Sequence, residues 1–204
     1  MKKEQPLFWD VIHKRRSIRQ FEPRPVPREL IEKLLQAAIL APNAHNRQSW
    51  RFVVLTSSDD ILRLAEGMGV DYRAALLADG MPEEEVESRA ERRKERICGA
   101  PAVVLLCLDS DDMNKHADAN RDDGEYIMGV QSVALAGGHT LLAAYAEGLG
   151  GVWMCAPLFA PQRVREACDL PETWTPQGMI LLGYPAEEPE PKERKPLEEV
   201  VRFM

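Results

Sequence analysis

Between Ile127 and Ala146 the chain runs for 20 residues without a formal charge. A stretch of that length either crosses a bilayer or lies inside a folded domain. Gln131, Ser132, His139 and Thr140 interrupt it, as does the pair Gly137-Gly138. Its flanks are acidic, with Asp122, Asp123 and Glu125 before it and Glu147 after it. Arg121 is the one nearby basic residue, so no positive-inside anchor is present. The spacing predicts a buried central helix from Asp123 to Glu147, closed by Gly148, in a soluble protein with no membrane partner.

The other elements arrange themselves around that helix. Trp9 to Arg19 is expected to be helical, and Pro23, Pro25 and Pro27 then enforce an extended crossing. Pro27 is expected as the first residue of a second helix, with Leu30, Ile31, Leu34, Leu35 and Ala38 on one stripe. Pro42 ends it, because the residue before a proline avoids the helical region. Arg51–Leu55 reads as a strand and Asp59–Met68 as a short helix. The segment 71–98 is dense in charge, which marks a solvated helical face and also suits a lid inserted over a pocket. Ala102–Leu108 is a continuous apolar run, expected as a central strand. Gly151–Met154 and Met179–Gly183 read as strands and Pro161–Cys168 as a helix. Residues 185–204 form a Pro/Glu-rich arm too polar for a core element. Without a regular β-α-β alternation, the expectation is α+β: one domain over 1–204, with a central mixed or antiparallel sheet flanked by helices.

The net charge of −7 argues against nucleic acid as a partner. It also makes any local basic cluster informative. Cys98, Cys107, Cys155 and Cys168 lack metal-ligand spacing and read as reduced, mostly buried thiols. With no apolar run in the first ten residues, the expected location is the cytoplasm.

Four segments carry chemistry. Arg15-Arg16-Ser17-Ile18-Arg19 places Arg15 and Arg19 on one face if helical, where they repel unless an anion lies between them. Charge-assisted hydrogen bonds to phosphate would contribute roughly 1.5–3 kcal/mol each. The plainer reading is a solvated basic face. Ala41 to Trp50 is the second segment. Its Asn and Gln side chains offer donor and acceptor together, as the edge of a flavin or pyrimidine ring requires, though an Asx-rich turn needs the same residues. The third runs from Gly148 to Pro157, where small residues admit a planar ring close to the backbone. It is not a dinucleotide fingerprint, because the glycines close a helix instead of opening one. The fourth is Lys192-Glu193-Arg194-Lys195-Pro196, a basic triplet in an acidic arm.

In this order and at these separations, the four segments resemble the FMN-binding nitroreductase family over nearly the whole chain. That family opens with R-R-S-x-R, continues with P-S-x-x-N-x-Q-P-W and G-L-G-x-x-W, and closes with K-x-R. The resemblance implies a nitroreductase-like fold with FMN as cofactor, and a homodimer that exchanges its C-terminal arm. It implies that Arg15, Arg16, Ser17 and Arg19 grip the flavin phosphate and ribityl chain, and that Lys192 and Arg194 close over the phosphate. Asn46, with the backbone near Pro42 and Asn43, would face the ring or ribityl chain. Cys155 and Ala156 fall beside the flavin N5. Asn43 stands where the family usually has serine and Ser49 where it has proline, and Cys155-Ala156-Pro157 replaces a Gly-Gly or Glu-Gly pair. The stretch Trp153 to Gly183 further resembles the C-terminal FMN domain of bifunctional deazaflavin-coenzyme biosynthesis enzymes, which reduces a dehydro precursor.

The activity so implied is hydride transfer from NADH or NADPH through flavin N5 to a small planar acceptor, a nitroaromatic, quinone or related compound. With no second nucleotide fold the two substrates would alternate, so ping-pong kinetics are expected, and no side chain need act as the catalyst. A reductase of a dehydro-deazaflavin precursor and a non-catalytic flavin or deazaflavin binder are the alternatives. His13, His45, His116 and His139 form no pair at metal-ligand spacing, so no metal is expected.

Overall fold

A computed structural model describes residues 8–204. Its centre is β2 (Ala102–Asp109), every residue of which is buried. It pairs antiparallel with β1 (Trp50–Leu55) on one side and β4 (Trp174–Gly183) on the other. β3 (Gly150–Met154) pairs antiparallel with β4 at the sheet's edge, and the strand order is β1-β2-β4-β3. The strand period of two divides the core. Val104, Leu106 and Leu108 face α2 (Arg28–Ala38) and α5 (Ala119–Ala146). Val103, Leu105 and Cys107 face α3 (Ser58–Ala78) and α6 (Pro161–Cys168). The sheet is thus the middle of three layers, and α4 (Glu83–Cys98) folds back on α3.

The α+β expectation holds, with the sheet antiparallel throughout. Besides α3, which runs ten residues beyond the expected end at Met68 to Ala78, three details differ from the sequence reading. α1 stops at Lys14 (Phe8–Lys14), and Arg15–Arg19 is extended instead of helical. Ser17 forms a parallel bridge to Gly151, and the Ile18 amide donates to the Gly151 carbonyl at 3.2 Å. Ile18 is buried over Gly150, where a Cβ would stand 2.6 Å from the Ile18 side chain. Burial of that isoleucine against a strand outweighs continuation of the helix. Second, Pro27 caps α2 from outside it. Third, β4 begins five residues before the expected Met179. Its first half holds Pro176, which reads as a strand breaker; a register shift opposite Leu106 and Cys107 accommodates it. The segment 71–98 is the far half of a helical hairpin made by α3 and α4. Arg93 stacks over Tyr72 at 4.3 Å, and Arg73 pairs with Glu87 at 2.8 Å.

α5 is the one helix among the described residues long and apolar enough to cross a membrane by length and composition. One face packs inward through Gly129, Val133, Ala136, Gly137, Thr140 and Ala144. Its polar groups are absorbed locally: Thr140 donates to the Ala136 carbonyl, and His139 Nδ1 lies 3.1 Å from the Ala37 carbonyl. The other face exposes Tyr126, Ile127 and Leu135. Gly148, at φ +78°, closes the helix.

Gly137 on α5 and Gly178 on β4 clasp the Trp153 ring. A Cβ at either position would stand 2.2 or 2.4 Å from a ring carbon. Gly178→Ala therefore forces the ring into Gly137, and the expected loss is about 1–3 kcal/mol, read as a lowered denaturant midpoint. An unchanged midpoint would mean that the ring has room to move.

Candidate functional site

Segments 17–22 and 184–187 meet at the sheet edge where β3 begins. The Glu22 amide donates to the Tyr184 carbonyl at 2.9 Å, and the Ala186 amide to the Gln20 carbonyl at 3.0 Å. Phe21 forms a bridge with Pro185. The Glu187 carboxylate accepts from the backbone amides of Arg19 and Gln20. These contacts frame an open cleft of about 1630 Å³ lined by Arg15, Arg16 and Ile18, the C-terminal turn of α5, Gly150–Gly151 and the arm from Pro185 to Pro191.

Charge in that cleft is unevenly matched. Lys14 is paired with Asp10 at 2.8 Å, and Lys33 with Glu147 at 2.6 Å. Among the described residues, no carboxylate lies within ion-pair distance of Arg15, Arg16 or Arg194. Arg15 is half-buried, and burial, then the positive charges of Arg16 and Arg194, hold it below the usual arginine range. Arg194 of the closing arm is thus an electrostatic neighbour of Arg15 from the opening segment. Arg16 curls back, donating to the carbonyls of His13 (2.6 Å) and Arg15 (2.9 Å). Arg19 is exposed and donates to the Ser17 carbonyl at 3.2 Å. Lys192 is exposed, and its carbonyl accepts from Arg194. A half-buried guanidinium beside two others is unfavourable until an anion neutralises it.

From this cleft β3 leads along the sheet edge to Cys155, four residues beyond Gly151 and about 13 Å away at roughly 3.3 Å per residue. Since the Gly151 carbonyl points off the edge to Ile18, strand alternation turns the Trp153 peptide the same way, whereas Cys155 lies past the strand and its carbonyl accepts from the Leu158 amide at 3.1 Å. Cys155 is exposed, and its Sγ accepts from Trp153 Nε1 at 3.1 Å; Ala156 is buried. An open strand edge of this kind presents N–H and C=O groups to a flat heterocycle.

The second segment lies elsewhere. Pro42 and Asn46 are exposed, and Asn43 is half-buried in a loop at the opposite end of the sheet. The Ala44 amide donates to Ser132 Oγ on α5 at 3.1 Å. Ser132 and Tyr145, which lines the cleft, are 13 residues apart on α5, or about 20 Å along its axis. Within one protomer, Asn43 and Asn46 are therefore not brought to the arginines. The loop is unusual in its own right: His45, Asn46 and Gln48 adopt φ of 50°, 52° and 53°. No composition signal marks this strain, although the alternation of Asn, His and Gln is compatible with it.

A smaller groove of about 610 Å³ lies between α3 and α6. Its two arginines are already matched, Arg63 with Asp60 and Arg163 with Asp71 and Glu166. Among the described residues, no group of three or more His, Cys, Asp or Glu side chains is placed to hold a metal. The cysteines divide more evenly than expected: Cys98 and Cys155 are exposed, Cys168 is half-buried and Cys107 is buried.

Comparison with known proteins places this geometry. The model of the nitroreductase family matches residues 12–184. An NADH dehydrogenase of Thermus thermophilus is 32% identical over 212 aligned positions, covering 92% of this chain and 91% of that protein. The NADPH:FMN oxidoreductase of Vibrio harveyi, solved with NAD+, superposes with a TM-score of 0.75 at 25% identity, over 96% of this chain and 76% of that one. A BluB-like flavoprotein of Clostridium difficile shares the fold, with a TM-score of 0.82 at 24% identity over 98% and 99% of the two chains.

Thiol chemistry tests the edge geometry. Burial pushes Cys107 up to about 12 and Cys168 up to about 11, so both stay protonated and inert at neutral pH. A disulfide reagent at pH 7–8 is expected to modify Cys155 in the folded protein and to reach Cys107 only after unfolding. Labelling of Cys107 at the rate of Cys155 would contradict the placement of both.

Proposed function

Because the chain belongs to the nitroreductase family, we propose that it is an FMN-dependent NAD(P)H oxidoreductase acting on small planar acceptors. The observation that carries the reading is the pair Arg15 and Arg16, which lack an ion-pair partner among the described residues and line the cleft at one end of an open strand edge, with the positive charge of Arg194 from the closing arm felt at Arg15. A phosphate is the anion that such a cluster fits, and a flat ring attached to it would lie along β3. The residues present therefore suit FMN.

Arg15, Arg16 and Arg194 bind the phosphate, with Lys192 adding charge from the arm. Ser17 and Arg19 border the sugar-like chain. The outward peptide of Trp153 orients the ring edge, and Cys155 with buried Ala156 keeps its approach free of bulk. FMN held there would supply hydride-transfer chemistry between NAD(P)H and the acceptor. Pro42, Asn43 and Asn46 reach a ring only from a second copy, because their own protomer holds them at the far end of α5. We therefore read the protein as a homodimer, with the exposed face of α5 carrying Tyr126, Ile127 and Leu135 at the contact and the arm 185–204 wrapping the partner. The α3–α4 hairpin, residues 71–98 included, serves as a lid. Nitroaromatics and quinones suit an open edge, and a dehydro-deazaflavin precursor is the acceptor favoured by the resemblance of Trp153–Gly183.

Arg15→Ala removes one charge-assisted contact, worth roughly 1.5–3 kcal/mol, so FMN affinity should fall about tenfold to a hundredfold in a fluorescence titration. Normal FMN occupancy in that variant contradicts the assignment. Anaerobic bleaching of the yellow protein by NAD(P)H, then recovery with a quinone, distinguishes the enzyme from a non-catalytic flavin binder, which would stay yellow. Parallel double-reciprocal lines are expected when both substrates are varied.

A further inference from the structure

Glu125 is a carboxylate that the proposed chemistry does not use. It sits on α5 at 4% exposure, an expensive place for a charge unless its lone pairs are engaged. Asn114 engages one of its oxygens twice, and His116 lies against the other. The Asn114 backbone amide donates to Glu125 Oε1 at 3.2 Å, and Asn114 Nδ2 donates to the same oxygen at 3.1 Å. His116 Nε2 lies 3.8 Å from the other oxygen, and the His116 amide donates to Asp122 on the same helix at 3.1 Å. With its amide nitrogen committed to Glu125, the Asn114 side chain turns its oxygen outward, where it accepts from the Arg47 guanidinium.

Arg47 belongs to the loop in which His45, Asn46 and Gln48 are all left-handed. Non-glycine residues in that region each cost on the order of 1 kcal/mol or more, and they persist where their surroundings over-determine them. Besides the turn bonds from the Asn46 amide to the Asn43 carbonyl, from the Arg47 amide to the Ala44 carbonyl and from Asn43 Nδ2 to the Ala41 carbonyl, three other tethers hold the loop. The Ala44 amide donates to Ser132 Oγ, the Gln48 amide to Asn43 Oδ1 at 2.9 Å, and Arg51 to the Gln48 carbonyl at 3.2 Å. The hydrogen bond to Arg47 is the only one of the four that reaches a side chain between the left-handed residues.

We propose that Glu125 and Asn114 are positioning residues, a buried relay from α5 that holds loop 43–48 in its strained form through Arg47. The relay needs a group that donates on one side and accepts on the other, which the asparagine amide provides and aspartate does not. The consequence for function rests on the flavoenzyme reading: the loop then presents Asn43 and Asn46 to the ring and its planar substrate, while the phosphate grip at Arg15 is independent of it.

Amide hydrogen exchange of the ligand-free protein tests the relay without FMN. In Asn114→Ala and in Asn114→Asp, exchange at Ala44, Arg47 and Gln48 should accelerate by about tenfold or more, with β2 amides unchanged. Glu125→Gln keeps an acceptor for Asn114 and should behave as wild type, whereas Glu125→Ala should match the Asn114 variants. Unaltered loop exchange in both Asn114 variants overturns the proposal, as does a Glu125→Gln protein as loosened as Glu125→Ala. With FMN added, the Asn114 variants should lose less FMN affinity than Arg15→Ala does and show a raised KM for a quinone acceptor, with kcat falling less. Failure of the wild-type protein to bind FMN would remove the flavoenzyme reading alone, since the exchange result still decides the relay.

Discussion

The short β-like pairing of the chain's ends organises everything else. Ser17 and Ile18 lie along Gly151, and residues 20–22 pair with 184–186. Those few backbone hydrogen bonds bring Arg15 and Arg16 beside Arg194, residues nearly 180 positions apart. The fold accepts like-charge repulsion there although, among the described residues, none of the glutamates lining the cleft forms an ion pair with these arginines. Such an arrangement is costly in the empty protein and favourable once an anion is bound. Glu187 strengthens the clasp by capping the amides of Arg19 and Gln20, and so serves the arm's geometry without neutralising the guanidinium groups.

α5 links this corner to the other functional region. Its small inward residues let the sheet and the Trp153 ring approach closely, and its last turn lines the cleft. Its first half carries Ser132 and Glu125, the two anchors of the strained loop. One rigid element therefore sets both regions, about 20 Å apart. Among the described residues its other face leaves Ile127 and Leu135 exposed, which is the physical ground for proposing a second copy there.

Much of this was legible in the residues. The continuous apolar run Ala102 to Leu108 specifies a strand buried on both faces, and the cap at Gly148 follows from glycine's freedom at positive φ. The basic segments stood out because the rest of the chain is acidic. What local pattern could not convey was non-local pairing. Arg15–Arg19 follows helical residues, and only the contact of Ile18 with Gly150 and Gly151, more than 130 positions away, makes it extended. Pro176 similarly concealed the first half of β4, since the compensating register shift depends on β2. Glu125 read as a helix-flanking acid; its burial depends on Asn114 folding back over it. The left-handed run at His45, Asn46 and Gln48 left no mark beyond residues that tolerate it.

The central claim is that the arginine cluster recognises a phosphate. Parallel titrations with FMN and with riboflavin, which differ only in that group, test it most directly when repeated across ionic strength. The account predicts that FMN binds at least about a hundredfold more tightly, equivalent to two charge-assisted contacts, and that salt erodes this advantage. Equal affinity for the two, or an FMN preference indifferent to salt, would contradict it.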